Sequence, residues 1–399
     1  MKYSKNRKKI LIWFLVITSF LVIFSLAIRF LIGSVKIDYF SSKPKKEIYS
    51  KEGVVSSLFF SNNGSEQDLN RIIVEEINNS KETLDIAVYS LKSLAIKEAI
   101  YRAEKRGVLV TIILDFRKKA IHDEFLVDAP TSIKRLNLGS DVPPKTFLMH
   151  HKFAIIDRHT KDGKLIFGSH NWTDLQDDYD QSFLMVTSNK YLVSSFSNEF
   201  ERLNSSLSGR DKLRLKSYNS YDLNLKTDSG NYQVFFGPSR GDVNIFSETK
   251  KSVEEAKKSI KILAWDFTNR NLADYLVIKA EQGVKVYVIG DSFNINNKNS
   301  VFNYLKEIKK EKALSNLEVL SDQSKITADK ISTSTVEIDP FLHHHALIVD
   351  DKTVIFGTNN WSEAGFYSND ESIIKTNDPK IVASFLSLFE YNHRNSLSD

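Results

Sequence analysis

Two octets dominate the chemistry of this sequence: His-His-Lys-Phe-Ala-Ile-Ile-Asp at 150–157 and His-His-His-Ala-Leu-Ile-Val-Asp at 343–350. Each is followed by a related turn, Gly168-Ser169-His170-Asn171-Trp172-Thr173 and Gly357-Thr358-Asn359-Asn360-Trp361-Ser362. Acids come next, Asp178 and Asp180 in the first copy and Glu371 in the second. The apolar run in each octet has strand length, and alternate residues of a strand share a face. His150 and Lys152 therefore point together, as do His343 and His345, while His151 and His344 face the other way. An imidazole beside an ammonium, near hydroxyl and amide donors, is a phosphate-handling set. Two copies facing each other supply one imidazole to attack phosphorus and another to protonate the leaving oxygen. Lysine and asparagine donors would stabilise charge building on the equatorial oxygens.

The elements that must position these groups repeat as well. Phe59 and Phe235, Gly107 and Gly283, and Asp115 and Asp291 all keep one offset of 176 residues. Apolar runs rich in Val and Ile alternate with charged segments of helical period, the pattern of β-α-β units. The expected fold is α/β: two similar lobes, each a mixed sheet flanked by helices, in a pseudo-twofold arrangement with equivalent segments meeting at one seam. The lobes are expected at 54–205 and 231–396, joined by a polar linker at 206–230. About seventeen residues enter the second copy after Asp291, and the lysine- and serine-rich stretch 292–339 is a candidate gate.

His-x-Lys-x4-Asp followed by Gly-Ser-x-Asn, with a near-copy later in the chain, resembles the phospholipase D superfamily over residues 55–395. The resemblance implies a metal-independent phosphodiesterase without a cofactor, in which His150 forms a phosphohistidine and His343 is the general acid and later the base. It assigns phosphoryl-oxygen binding to Lys152, Asn171 and Asn360, with Ser169 and Thr358 close by. Asp180 and Glu371 would orient the histidines. Asp157 and Asp350, of opposite strand parity, are structural. His345 stands where the resemblance expects a second lysine. Histidine is largely neutral at pH 7, so this half of the clamp is expected to be weakened and favoured by acid.

Duplication favours a shared role for His150 and His343 over ordinary strand histidines. A metal site at His343-His344-His345 is disfavoured because strand geometry turns the middle ring away. His122, His159 and His393 have no repeat partner and read as surface residues. Trp172 and Trp361 read as core wedges.

The chain of 399 residues contains no cysteine, which excludes disulfides and thiol catalysis. Its net charge of +5 comes from Lys2, Lys5, Arg7, Lys8 and Lys9, so the remaining 50 basic residues balance 50 acidic ones. The body thus lacks the basic excess of a general nucleic-acid binder. From Ile10 to Ile28 no residue is charged, long enough to cross a bilayer. Residues 1–35 are expected to form a cytoplasmic basic tail and a single membrane span, with the lobes on the far side. A cleaved signal peptide is the rival reading, disfavoured by length and by Arg29-Phe30-Leu31 after the run. The expected partner is membrane phospholipid, phosphatidylcholine-like or cardiolipin-like, hydrolysed to phosphatidate, and no obligate protein partner is evident. The alternatives are a membrane-anchored nuclease using the same histidines on nucleic acid, and a non-catalytic scaffold with a degenerate second motif.

Overall fold

The computed structural model describes residues 47–51, 56–61, 67–140, 147–205, 221–239, 241–324, 326–328, 336–338 and 340–397. The expected tail and membrane span, 1–35, lie outside the described residues. Among the described residues no helix is long and apolar enough to cross a membrane.

Two mixed sheets share one strand order. In the first the order is 56–60, 183–187, 164–168, 152–156, 83–88, 109–115, 134–140, and in the second 231–236, 372–376, 353–357, 345–349, 259–264, 285–290, 317–322. The last three strands of each series run parallel and the others antiparallel. The parallel strands are joined by amphipathic helices such as Leu94–Lys105 and Arg270–Glu281, as parallel connections require. Helices Lys190–Asn204 and Pro379–Arg394 begin at Asn189 and Asp378, whose side chains accept the exposed first-turn N–H groups.

A phenylalanine-rich core spans both lobes. Phe183 and Phe356 lie 5.5 Å apart between ring centroids, Phe183 and Phe385 5.6 Å, and Phe196 and Phe236 5.1 Å. Such rings bury large areas and favour edge-on contacts. The seam also carries backbone pairing: Asp180 and Gln181 run parallel to Phe341 and Leu342, while Met149 bridges Asp370.

One sequence expectation changes here, and the structure adds two features the sequence left open. Tyr221–Thr227 of the expected linker is a strand of the second sheet, because Leu223 and Leu225 alternate into the core. Ile48–Ser50, which precedes the first lobe in sequence, pairs in parallel with that strand. The candidate gate at 292–339 contains helix Val301–Glu311 and strand Leu317–Asp322, a crossover equivalent to Lys119–Phe125 and Lys134–Ser140 in the first lobe.

Candidate active site

The two histidine-bearing strands are fastened at both ends by carboxylates. Asp157 adopts a left-handed backbone with φ of 51° and accepts the N–H groups of Lys81, Glu82 and Thr83. Asp350, with φ of 54°, does the same for Lys257, Lys258 and Ser259. At the other end Asp115 accepts from Met149 N at 2.8 Å and Asp291 from Leu342 N at 2.9 Å. Each histidine follows the residue so held, which fixes where its ring starts.

From there the two halves diverge. His150 Nδ1 lies 2.9 Å from Glu371 Oε1 and 3.0 Å from Oε2. Thr358 Oγ1 donates to the same carboxylate at 2.6 Å and Asn369 Nδ2 at 3.1 Å. Glu371 belongs to the second lobe and His150 to the first, so the pair closes the seam. With Glu371 ionised, a hydrogen on Nδ1 points at its carboxylate and Nε2 keeps its lone pair free, the tautomer a nucleophile needs. Lys152 Nζ donates to the His150 carbonyl at 2.9 Å.

His343 Nδ1 instead meets the Ser169 carbonyl at 3.1 Å. Matching the registers explains why. Gly168 pairs with Leu184 and Gly357 with Ile373, so Ser182, not Asp180, stands at the level of Glu371, and Asp180 stands at the level of Asn369. The expectation that Asp180 orients His343 is corrected accordingly. The reason lies in the spacing, since both copies place the same number of residues between the glycine and this position, and a match by residue type alone slipped it by two. Ser182 Oγ is buried and lacks a hydrogen-bond partner among the described residues. The Asp180 carboxyl, faced by Gln176, is pushed up to about 8 by burial. His343 thus meets a backbone carbonyl where His150 meets a carboxylate, and His345 stands where the first copy has Lys152.

Burial governs the charges. It drives His150 and His343 well below the ordinary histidine value, with the Lys152 charge adding to the effect on both. His150 also contributes to the lowering at His343, so the two rings share one electrostatic neighbourhood across the seam. Burial lowers Lys152 to about 7 against the pull of Glu371 and Asp115, and raises Glu371 to about 8 against Lys152, Thr358 and Asn369. His345 is fully buried, its ring 5.1 Å from that of His343, with neither nitrogen hydrogen-bonded among the described residues. A dry site of this kind favours an anion able to restore these cations.

The remaining expected residues fall around this centre. Ser169 Oγ accepts from Phe183 N, and Thr358 Oγ1 accepts from Ser372 N as well as donating to Glu371. Asn171 and Asn360 each have a buried Oδ1 without a hydrogen-bond partner among the described residues. His151 and His344 face the core, as strand parity requires. His151 contacts Ser372 Oγ at 3.2 Å and Glu199 Oε1 at 3.1 Å. His151, Glu199 and Asp370 form a grouping close enough to hold a metal ion, but Arg202 already donates to Glu199 at 2.8 Å. A cation there would have to compete with a guanidinium. His122, expected at the surface, is buried and accepts from Leu91 N at 3.3 Å.

Sequence reasoning did not single out Tyr89 and Trp265. Their rings lie 5.0 Å from His150 and 5.5 Å from His343. They obey the offset of 176, 89 to 265, and directly follow the equivalent strands Thr83–Val88 and Ser259–Ala264, which was the available signal.

A family model described as "Cardiolipin synthase, PLD-like domain" matches residues 73–204 and 250–392, more than half of the chain and both octets. Among curated proteins, the mitochondrial cardiolipin hydrolase of Drosophila melanogaster is 30% identical over 150 residues, covering 33% of this chain and 56% of that protein. The phospholipase D of Rickettsia felis is 25% identical over 156 residues, covering 39% of this chain and 74% of its own. The chain spans about half the length of the first of these relatives. Among solved structures, the phosphatidylserine synthase of Haemophilus influenzae superposes over 87% of this chain and 89% of its own with a TM-score of 0.63 at 12% identity, a likeness of fold. With both of its lobes matched, the chain belongs to the phospholipase D superfamily.

Proposed function

We propose that this chain is a membrane-tethered phosphodiesterase of phospholipase D type that hydrolyses a phospholipid to phosphatidate through a phosphohistidine on His150. The reading rests on one observation, the His150–Glu371 pair formed across the seam above Lys152. His150 Nε2 attacks phosphorus while His343 delivers its proton to the departing headgroup oxygen, and the P–O bond to that oxygen breaks. Water deprotonated by His343 then cleaves the P–N bond, releasing phosphatidate and restoring both rings. Glu371 stabilises the positive charge that develops on His150. The anionic substrate draws Lys152 and His343 back toward their charged forms, so binding itself prepares the cation and the acid. The apolar stretch at 10–28 would hold the lobes beside their substrate, on the side opposite the basic tail.

The test is hydrolysis of cardiolipin or phosphatidylcholine vesicles with EDTA present, together with trapping of phosphohistidine. EDTA-resistant turnover and trapping, both abolished in His150→Ala, support the reading. Lipid turnover that survives His150→Ala defeats it. A nuclease is the second reading, favoured by Tyr89 and Trp265, whose rings flank the histidines and could stack on bases. Cleavage of a labelled oligonucleotide in preference to lipid would select it.

A further inference from the structure

Two series of ring contacts run from the paired histidines to the protein surface, and they end in different chemistry. In the first lobe the His150 ring meets Tyr89 at 5.0 Å, and Lys118 Nζ lies 5.6 Å from the Tyr89 centroid. Arg117 and Lys119 beside it are exposed, as is Phe116, at 41%. In the second lobe His343 meets Trp265 at 5.5 Å, Trp265 meets Phe341 at 4.9 Å, and Phe341 meets Phe293 at 6.4 Å. Phe341 is 39% exposed and Phe293 73%. The two ends are equivalent in the fold. Phe116 and Arg117 follow Asp115, and Ser292 and Phe293 follow Asp291, each beyond the end of a central parallel strand. Exposed rings forgo the favourable burial available to them elsewhere.

We infer that these two exposed ends together form a docking surface for a bilayer carrying anionic headgroups. Phe116, Phe293 and Phe341 enter the interfacial layer, while Arg117 and Lys119 meet lipid phosphates. A headgroup phosphodiester then reaches His150 and His343 without leaving the membrane. The proposal takes from the phospholipid reading what is cleaved after docking, but not the docking itself. Several observations favour a bilayer over a single-stranded nucleic acid. A nucleic-acid track interleaves rings with cations along a basic groove; only the first-lobe end does so here, whereas at the second-lobe end Phe293 has uncharged Ser292 and Asn294 as its sequence neighbours, and the chain after residue 9 carries no basic excess. The apolar stretch at 10–28 would also keep the chain at a membrane.

The absence of cysteine permits a direct test. Full-length Phe293→Cys, Phe116→Cys and Leu109→Cys variants each carry one thiol for an environment-sensitive fluorophore. Leu109 is 73% exposed at the opposite end of the strand that leads to Phe116, and serves as the control. In chain reconstituted into phosphatidylglycerol vesicles, labels at 293 and 116 should shift to the blue and be quenched by nitroxide lipids, while the label at 109 stays water-like. Arg117→Gln with Lys119→Gln should weaken the response roughly fivefold per charge removed. Phe293→Ser should lower cleavage of vesicle lipid roughly tenfold and leave cleavage of a dissolved short-chain phospholipid unchanged. Labels at 293 and 109 that behave alike in vesicles overturn the proposal. So does a response at 293 that appears with an oligonucleotide and not with vesicles. A wild-type chain that cleaves no lipid sinks the functional reading while the fluorescence result stands on its own.

Discussion

Replacing Glu371 by glutamine probes the asymmetry of the paired histidines, with Asp180→Asn as its matched control. Glu371 is fully buried and accepts from Thr358 and Asn369 as well as lying 2.9 Å from His150 Nδ1. Glutamine keeps the shape and can still accept from the imidazole, but it cannot compensate the charge that appears on the ring when phosphorus is attacked. Hydrogen bonds to charged groups are worth about 1.5–3 kcal/mol, so if that contribution is made in the transition state, kcat should fall roughly 10- to 150-fold. Asp180→Asn should change kcat less than about threefold, because Asp180 lies at the level of Asn369 and His343 Nδ1 meets a backbone carbonyl. The assay is steady-state hydrolysis of a phosphodiester at several pH values, with thermal unfolding of each variant to separate misfolding from chemistry. Equal losses in the two variants would refute the register argument. A loss below about twofold in Glu371→Gln would refute the role of the pair.

Other outcomes follow from the same geometry. Burial brings Lys152 down to about 7, and a lysine is charged below its pKa, so KM for an anionic diester should rise as pH climbs through that value. Lys152→Met should raise KM at pH 6 and flatten this rise. His345 is held neutral by burial, so His345→Lys should increase activity most on the alkaline side, and unchanged alkaline rates would count against a weakened second clamp. Asp157→Ala removes the acceptor for three backbone N–H groups and should cost about 3 kcal/mol, seen as a lower Tm. Burial opposes ionisation of Asp350, yet the N–H groups of Ser259, Lys258 and Lys257 hold its pKa below 3.8; its stabilisation is therefore complete above that value and is lost as pH falls through the depressed one, which urea titrations at pH 5 and pH 3 would register.

What the sequence disclosed was what local spacing carries. The strand parity of His150, His151 and Lys152 follows from a period of two, and the left-handed turns at Asp157 and Asp350 sit where the octets end. The repeat announced two sheets of like order because β-α-β units write their period into the chain. The hidden parts depend on contacts between distant segments. The alternation of Leu223 and Leu225 in Tyr221–Thr227 is a strand signal, but its short length and polar flanks hide which sheet it joins until Tyr232 and its neighbours are seen beside it. His151, Glu199, Arg202 and Asp222 look like unrelated surface charges in one dimension, yet they form a buried polar chain linking the lobes. Ser182 was legible in principle from the distance to Gly168, but an acid two positions earlier matched the expected chemistry and drew the assignment to itself.

Ile48–Ser50 pairs with a strand that lies more than 150 residues later, beyond an entire intervening lobe. During synthesis the first lobe can close as soon as its last helix, ending at Asn204, has left the ribosome. The three residues ahead of it must then wait, unmatched, until Thr227 emerges. A segment made ahead of the first lobe is thus among the later ones to find its partner. Cutting the gene between the lobes would therefore yield no clean pair of halves, since the front fragment would carry off an edge strand that belongs to the back one.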